Sequence, residues 1–135
     1  MKTILFICTH NSARSQMAEG LANSLFPGVL EAKSAGTKPS LVHPLAIKVM
    51  SELNIDVSNY RSKSLHEFDG QEFDYVLMVC SNAAETCPFF PGGKNHIHRG
   101  FDDPAEVEGT DKEKLDAFRK SRNEIRAWLE QTFIG

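Results

Sequence analysis

Cysteine, tryptophan, long apolar runs and any excess of basic charge are scarce in this chain of 135 residues, which holds three cysteines and one tryptophan. Cys8, Cys80 and Cys87 are too few, and odd in number, for the disulfide framework of a small secreted domain. No stretch approaches the roughly 18 apolar residues that span a bilayer. The N-terminal "MKTILFIC" places Lys2 before apolar residues, but its apolar core of about five residues falls short of the ~7–15 of a signal peptide, and no small-residue cleavage site follows. A formal net charge of −3 leaves no electrostatic footprint for nucleic acid. A cytoplasmic protein is therefore expected, with neither nucleic acid nor membrane as partner.

What the chain has is ordinary globular composition, 41% hydrophobic and 24% charged, enough for a real core. Half of the acidic residues lie after residue 100, interleaved with basic ones, as on a solvated helix surface. Repeats, low-complexity tracts and linkers are missing, so a single domain over 1–135 is expected. "TILFI" (3–7) reads as a buried strand. Apolar residues at helical spacing follow from Ser15 to Phe26, stopped by "PG". "VLEAKSAG" (29–36) reads as a second strand. In "HPLAIKVMSELN" (43–54), Ala46, Val49, Met50 and Leu53 form one helical face and Pro44 suits the first helical position. "DYVLMVC" (74–80) and "KNHIHRGF" (94–101) read as strands. A last helix runs from Asp111 to about Phe133, with Leu115, Phe118, Ile125, Leu129 and Thr132 near one face. Alternating strands and helices imply an α/β fold with a mostly parallel sheet covered on both faces. Ligands in such sheets sit beyond the carboxyl ends of the strands. Cys8, Cys80 and the pair Asp102–Asp103 all leave strands at that edge.

The loop after the first strand, "CTHNSARS", carries the sharpest chemistry. Cys8 is followed after five residues by Arg14 and Ser15, at a strand-to-helix junction. Backbone N–H groups entering a helix N-terminus bind a tetrahedral oxyanion and lower the pKa of a cysteine placed there. Arg14 supplies a planar fork for two oxyanion oxygens, Ser15 a hydroxyl for the Cys8 sulfur, and Asn11 a side chain tolerant of left-handed backbone. Thr9, His10, Asn11, Ser12 and Ala13 complete the candidate oxyanion cradle, His10 facing outward rather than acting as a base. The competing reading is a buried, inert cysteine beside a surface arginine. Cys80 and Cys87 are open to three readings: small core hydrophobes, zinc ligands with His96 and His98, or exchanging thiols. Their six-residue separation is longer than the C-x2–4-C usual for zinc.

"CTHNSARSQMAEG" followed by "SAG" (34–36) resembles the low-molecular-weight protein tyrosine phosphatase superfamily. Within it, "CSNAAETCP" (80–88), "GFDDPA" (100–105) and "GTDKEKLDAFRKSRNEI" (109–125) resemble the thioredoxin-coupled arsenate reductases. The resemblance implies a four-stranded parallel sheet of order 2-1-3-4 flanked by helices, and no metal or organic cofactor. It implies that Cys8 attacks arsenate held by the loop and Arg14, that Cys80 then expels arsenite, and that Cys87 carries the disulfide outward to thioredoxin, with Asp103 as the acid. Phosphate and sulfate would compete for the loop, and a monomer is expected. Two alternatives remain: a phosphatase of the same superfamily, and a non-catalytic oxyanion-binding or redox-sensing regulator. The chain departs from the family pattern at His10 (often glycine), Ala13 (often cysteine) and Ala105 (aromatic in the phosphatases). Some members bind potassium through residues matching Asn11, Glu19 and Ser34 plus an acid near residue 63. Here Lys63 stands there, and its ammonium could replace the cation.

Overall fold

A computed structural model describes residues 1–79 and 90–133. Seven principal elements follow in order: β1 (Lys2–Cys8), α1 (Arg14–Leu25), β2 (Leu30–Gly36), α2 (Pro44–Ser51), β3 (Phe73–Met78), β4 (Gly93–His98) and α3 (Asp111–Phe133). Short 3-10 turns lie at Leu65–Phe68 and Pro104–Glu106. All strand pairings are parallel and the strand order is β2-β1-β3-β4, as the resemblance implies. The readings placed on Cys80 and Cys87 lie outside the described residues.

β1 is the centre of the fold because both of its faces are apolar. Ile4 and Phe6 join one core cluster with Met17 and Leu21 of α1, Val49 and Met50 of α2, and Phe118, Ile125 and Leu129 of α3. Leu5 and Ile7 point the other way, onto Ala35, Phe68, Phe73, Val76 and Phe90. That alternation is the period of two of a strand buried on both sides. Each of these four β1 side chains is fully buried, and such burial contributes roughly 1.5–3 kcal/mol per residue. Among the described residues, the three α-helices pack into the first cluster, while the second is closed by the 3-10 turn and Phe90.

Two helices differ from their sequence reading at the ends. α2 stops at Ser51 rather than reaching residue 54, where Asn54 takes a left-handed φ of 60°. Leu53 still packs against the core from the turn beyond. On α3 the face is Phe118, Ser121, Arg122, Ile125 and Leu129, with Thr132 exposed. Arg122 belongs to that face because its guanidinium caps the end of α2, donating to Val49 O at 2.8 Å and to the Glu52 carboxylate at 2.8 Å. No helix among the described residues is long and apolar enough to cross a membrane.

Backbone pairing continues past the strand ends toward the site. Val79 N donates to Ile7 O at 2.9 Å and Phe101 N to Val79 O at 3.2 Å. The segment carrying Asp102 and Asp103 is thereby held at the carboxyl edge, beside the exit of β1.

Candidate active site

Residues 9–13 leave β1 and enter α1 in one tight loop, and its shape depends on two backbone requirements. Asn11 adopts φ 49°, a left-handed conformation that asparagine tolerates better than most residues. Gly36, at the end of β2, lets the loop pass: a Cβ there would lie 2.5 Å from Thr9 O, 2.7 Å from Cys8 O and 2.9 Å from Asn11 N. The "SAG" triplet therefore ends in glycine for space. Its φ is not left-handed, so backbone freedom is not the reason.

Cys8 is 2% exposed, and its Sγ lies 2.9 Å from Ser15 Oγ. Asn11 Nδ2 donates to that same Oγ at 2.8 Å, which leaves the Ser15 hydroxyl hydrogen available for the sulfur. Asn11 is itself fixed, its Oδ1 accepting from Lys63 N at 2.8 Å and from Gln16 Nε2 at 2.9 Å. A continuous polar chain thus runs from the residue 61–63 segment through Asn11 and Ser15 to Cys8. All three of Asn11, Ser15 and Gln16 are fully buried, where hydrogen bonds are costly to leave unmade. Ser15 thus presents a hydroxyl donor to the Cys8 sulfur, and a hydroxyl donates to a charged sulfur more strongly than to a neutral one.

Arg14 is 3% exposed; Nη1 donates to Phe101 O at 3.1 Å and Nη2 lies 3.6 Å from Asp103 Oδ2. The loop arginine and the Asp-Pro turn are therefore neighbours. Asp103 also accepts from Ala105 N at 3.0 Å, capping the 3-10 turn that begins at Pro104. Asp102 is exposed and Asp103 half-buried, which separates the two carboxylates that the sequence left adjacent.

A cavity of about 100 Å³ opens over Cys8, lined by His10, Ser12, Ala13 and Arg14 from the loop and by Ser40, Asp103 and Ala105 opposite. That is room for several water molecules, and so for a small tetrahedral oxyanion. Thr9 and Asn11 do not line it. Thr9 O instead accepts from Lys38 N at 2.9 Å, and Asn11 braces the loop from behind. His10 is exposed and also lines the cavity, and its ring is held, with Nδ1 3.1 Å from Lys38 O. A carbonyl only accepts, so Nδ1 carries the proton.

Behind the loop, Glu19 Oε1 accepts from Ser34 Oγ at 2.6 Å and lies 3.7 Å from Lys63 Nζ, which donates to Arg61 O at 3.0 Å. Burial pushes the Lys63 ammonium below its usual range, partly offset by the Glu19 carboxylate. The lysine ammonium thus lies between the Glu19 carboxylate and the Arg61 carbonyl. Among the described residues no cluster of three or more His, Cys, Asp and Glu side chains could hold a metal ion.

Sequence reasoning missed several participants. His43 caps α2, its Nδ1 accepting from Leu45 N at 3.1 Å and its backbone N donating to Ser12 O at 3.0 Å. Its place immediately before Pro44 was the available signal, since an N-cap precedes a first-turn proline. Ser62 donates to His10 O at 2.7 Å and accepts from Ser40 N at 2.9 Å, bracing the wall opposite the loop. No local motif marks it.

This loop brings a buried cysteine and a buried arginine to the mouth of one small cavity at the start of α1. The family model for low molecular weight phosphotyrosine protein phosphatase matches residues 3–133, and the chain belongs to that family. Within it, the chain is 44% identical over 124 residues to an arsenate reductase of Halalkalibacterium halodurans, spanning 92% of this chain and 89% of that protein. An arsenate reductase of Bacillus subtilis is 41% identical over the same span. Among solved structures, an arsenate reductase in the phosphate binding state superposes with a TM-score of 0.82 at 31% identity, covering 99% of this chain and 98% of that one. A thioredoxin-dependent arsenate reductase of Corynebacterium glutamicum gives a TM-score of 0.67 at 26% identity, covering 97% of this chain and 61% of that one.

Proposed function

We propose that the chain is an arsenate reductase that works by a three-thiol relay recycled by thioredoxin. The observation that carries the first step is the Cys8–Ser15–Asn11 chain beneath a small cavity that also presents Arg14 and Asp103. Arsenate is a tetrahedral oxyanion of the size that cavity admits. Cys8 attacks arsenic, an As–S bond forms and an As–O bond breaks. The departing oxygen takes a proton from Asp103 and leaves as water. Arg14 and the loop N–H groups hold the remaining oxygens.

The second step needs a thiol beyond this loop. Cys80 attacks the sulfur of the Cys8–arsenic adduct. The As–S electron pair stays on arsenic, which is reduced from the pentavalent to the trivalent state and departs as arsenite, leaving a Cys8–Cys80 disulfide. Cys87 then attacks Cys80, freeing the Cys8 thiolate and forming a Cys80–Cys87 disulfide. The thioredoxin dithiol reduces that bond and supplies the two electrons spent on arsenic. The spacing of "CSNAAETCP", and the likeness to arsenate reductases that include a thioredoxin-dependent one, support this reading. A monomer in the cytoplasm is part of the same proposal.

A phosphatase of the same family is the second reading, because phosphate and arsenate share shape and charge. Ala105 lines the cavity, and by the family resemblance the phosphatases carry an aromatic residue at that position, so this side chain offers no ring to stack on an aryl ester. The experiment is arsenite release coupled to thioredoxin, thioredoxin reductase and NADPH, beside hydrolysis of an aryl phosphate. The reductase reading expects Cys8→Ser to stop both reactions and Cys80→Ser to stop only arsenite release. Aryl phosphate turnover with no arsenite release by the wild type would establish the phosphatase instead.

A further inference from the structure

His43 is joined to three parts of the site at once. Its backbone N donates to Ser12 O of the oxyanion loop at 3.0 Å, its Nδ1 accepts from Leu45 N at 3.1 Å, and its ring lies 4.6 Å from that of Phe118 on α3. The ring also borders a groove formed by Pro104, Ala105 and Glu106 of the acid turn. We propose that His43 is a positioning residue for this site: its uncharged imidazole, locked as the Nε2–H tautomer, ties down the start of α2 and with it the backbone N–H that holds Ser12 of the oxyanion loop, and protonation releases the tie.

The tautomer follows from the geometry. A nitrogen that accepts from a backbone N–H carries no hydrogen, so in the neutral ring the proton sits on Nε2. A proton added at Nδ1 removes the acceptor that caps α2. It also places a cation at a helix N-terminus, against the helix dipole. Burial holds the imidazole below its ordinary pKa, while the Asp103 carboxylate pulls the other way. The charged groups around the ring are Asp103 and Glu106 from the turn, Glu108 from the loop after it, and Asp111 and Lys114 from α3. The first turn of α2 carries no acidic residue.

The turnover part of the test rests on the arsenate reductase reading; the spectroscopic part does not. Nitrogen NMR of the imidazoles in the full chain reads the tautomer directly, and kcat/KM for arsenate is measured against pH for wild type, His43→Asn and His43→Ala. Asparagine caps helices through a side-chain oxygen but does not titrate, so His43→Asn keeps the tie and loses the switch. The expected result is an Nε2–H tautomer for His43, titrating below free histidine. The acid limb of kcat/KM should be shallower in His43→Asn by one proton, about tenfold per pH unit. The difference between the two proteins is the readout, because the oxyanion titrates as well. His43→Ala should lose the cap too, with a lower Tm that His43→Asn restores. An Nδ1–H tautomer, or superimposable acid limbs in wild type and His43→Asn, overturns the proposal. If the wild type fails to reduce arsenate, that reading falls by itself. His43 is then judged by its tautomer and by phosphate protection of Cys8 from alkylation, which should weaken on acidification in wild type and persist in His43→Asn.

Discussion

Replacing Ser15 with alanine removes one oxygen from a buried chain of three residues, and the structure allows its effect to be sized. Ser15 Oγ stands 2.9 Å from Cys8 Sγ and accepts from Asn11 Nδ2 at 2.8 Å, with none of the three side chains open to solvent. A hydrogen bond to a charged group contributes about 1.5–3 kcal/mol. At about 1.4 kcal/mol per tenfold, its loss should slow the alkylation of Cys8 by about 10–100-fold. The same substitution takes the acceptor from a buried Asn11 amide, at about 1–3 kcal/mol of folding stability. The assay uses Cys80→Ser, Cys87→Ser protein, in which Cys8 is the one remaining cysteine, and follows iodoacetamide alkylation against pH with and without Ser15→Ala. The alkylation rate should fall by that factor, while denaturant unfolding reports the stability loss. Equal alkylation rates with and without Ser15→Ala would refute the argument that the Ser15 hydroxyl assists the Cys8 sulfur.

Other expectations follow from the same contacts. Asp103→Asn should lower the first-step rate by about 10²–10⁴-fold, the range of a general acid, while Asp102→Asn, on an exposed side chain, leaves it nearly unchanged; rapid-quench measurement of arsenite in a single turnover separates them. Gly36→Ala forces a Cβ to 2.5 Å from Thr9 O and should cost about 1–3 kcal/mol in denaturant unfolding, with weaker phosphate binding by calorimetry. Lys63 Nζ lies near Glu19 and Arg61 O, so exchanging sodium for potassium should leave the wild-type Tm unchanged but raise that of Lys63→Asp, which puts a second carboxylate beside Glu19 in place of the ammonium. Glu52 is held down to about 2, chiefly by its hydrogen bonds with Arg119. A depressed carboxyl stabilises the fold above its unfolded pKa and loses that contribution as pH falls through the folded one. The stability gap between wild type and Glu52→Gln should therefore close on acidification from the ordinary carboxylate range toward pH about 2.

The local parts of this site were legible in the sequence and the non-local parts were not. Cys8, Arg14 and Ser15 lie within one loop and one helical turn, so spacing alone placed them at the junction of β1 and α1. β1 and α1 were equally readable, because a short apolar run and a helical period are local signals. Gly36, Lys63 and Ser62 act through contacts made across β2 and the 61–63 segment, and no spacing rule brings them to Cys8. His43 was hidden inside a helix reading that began with it, whereas its ring works as the cap. α2 was overextended because Leu53 continues the apolar period past the last helical residue, and only the left-handed Asn54 reveals the stop. The strand order came through family likeness, since periodicity says nothing about which strands are neighbours.

The central claim is that three thiols, rather than one, carry the reaction, and Cys87→Ser tests it most directly. With arsenate, thioredoxin, thioredoxin reductase and NADPH, and no other reductant, this variant should release arsenite once per enzyme molecule. It should then stop with Cys8 and Cys80 joined in a disulfide visible by mass spectrometry. Sustained turnover by Cys87→Ser under thioredoxin alone would contradict the relay.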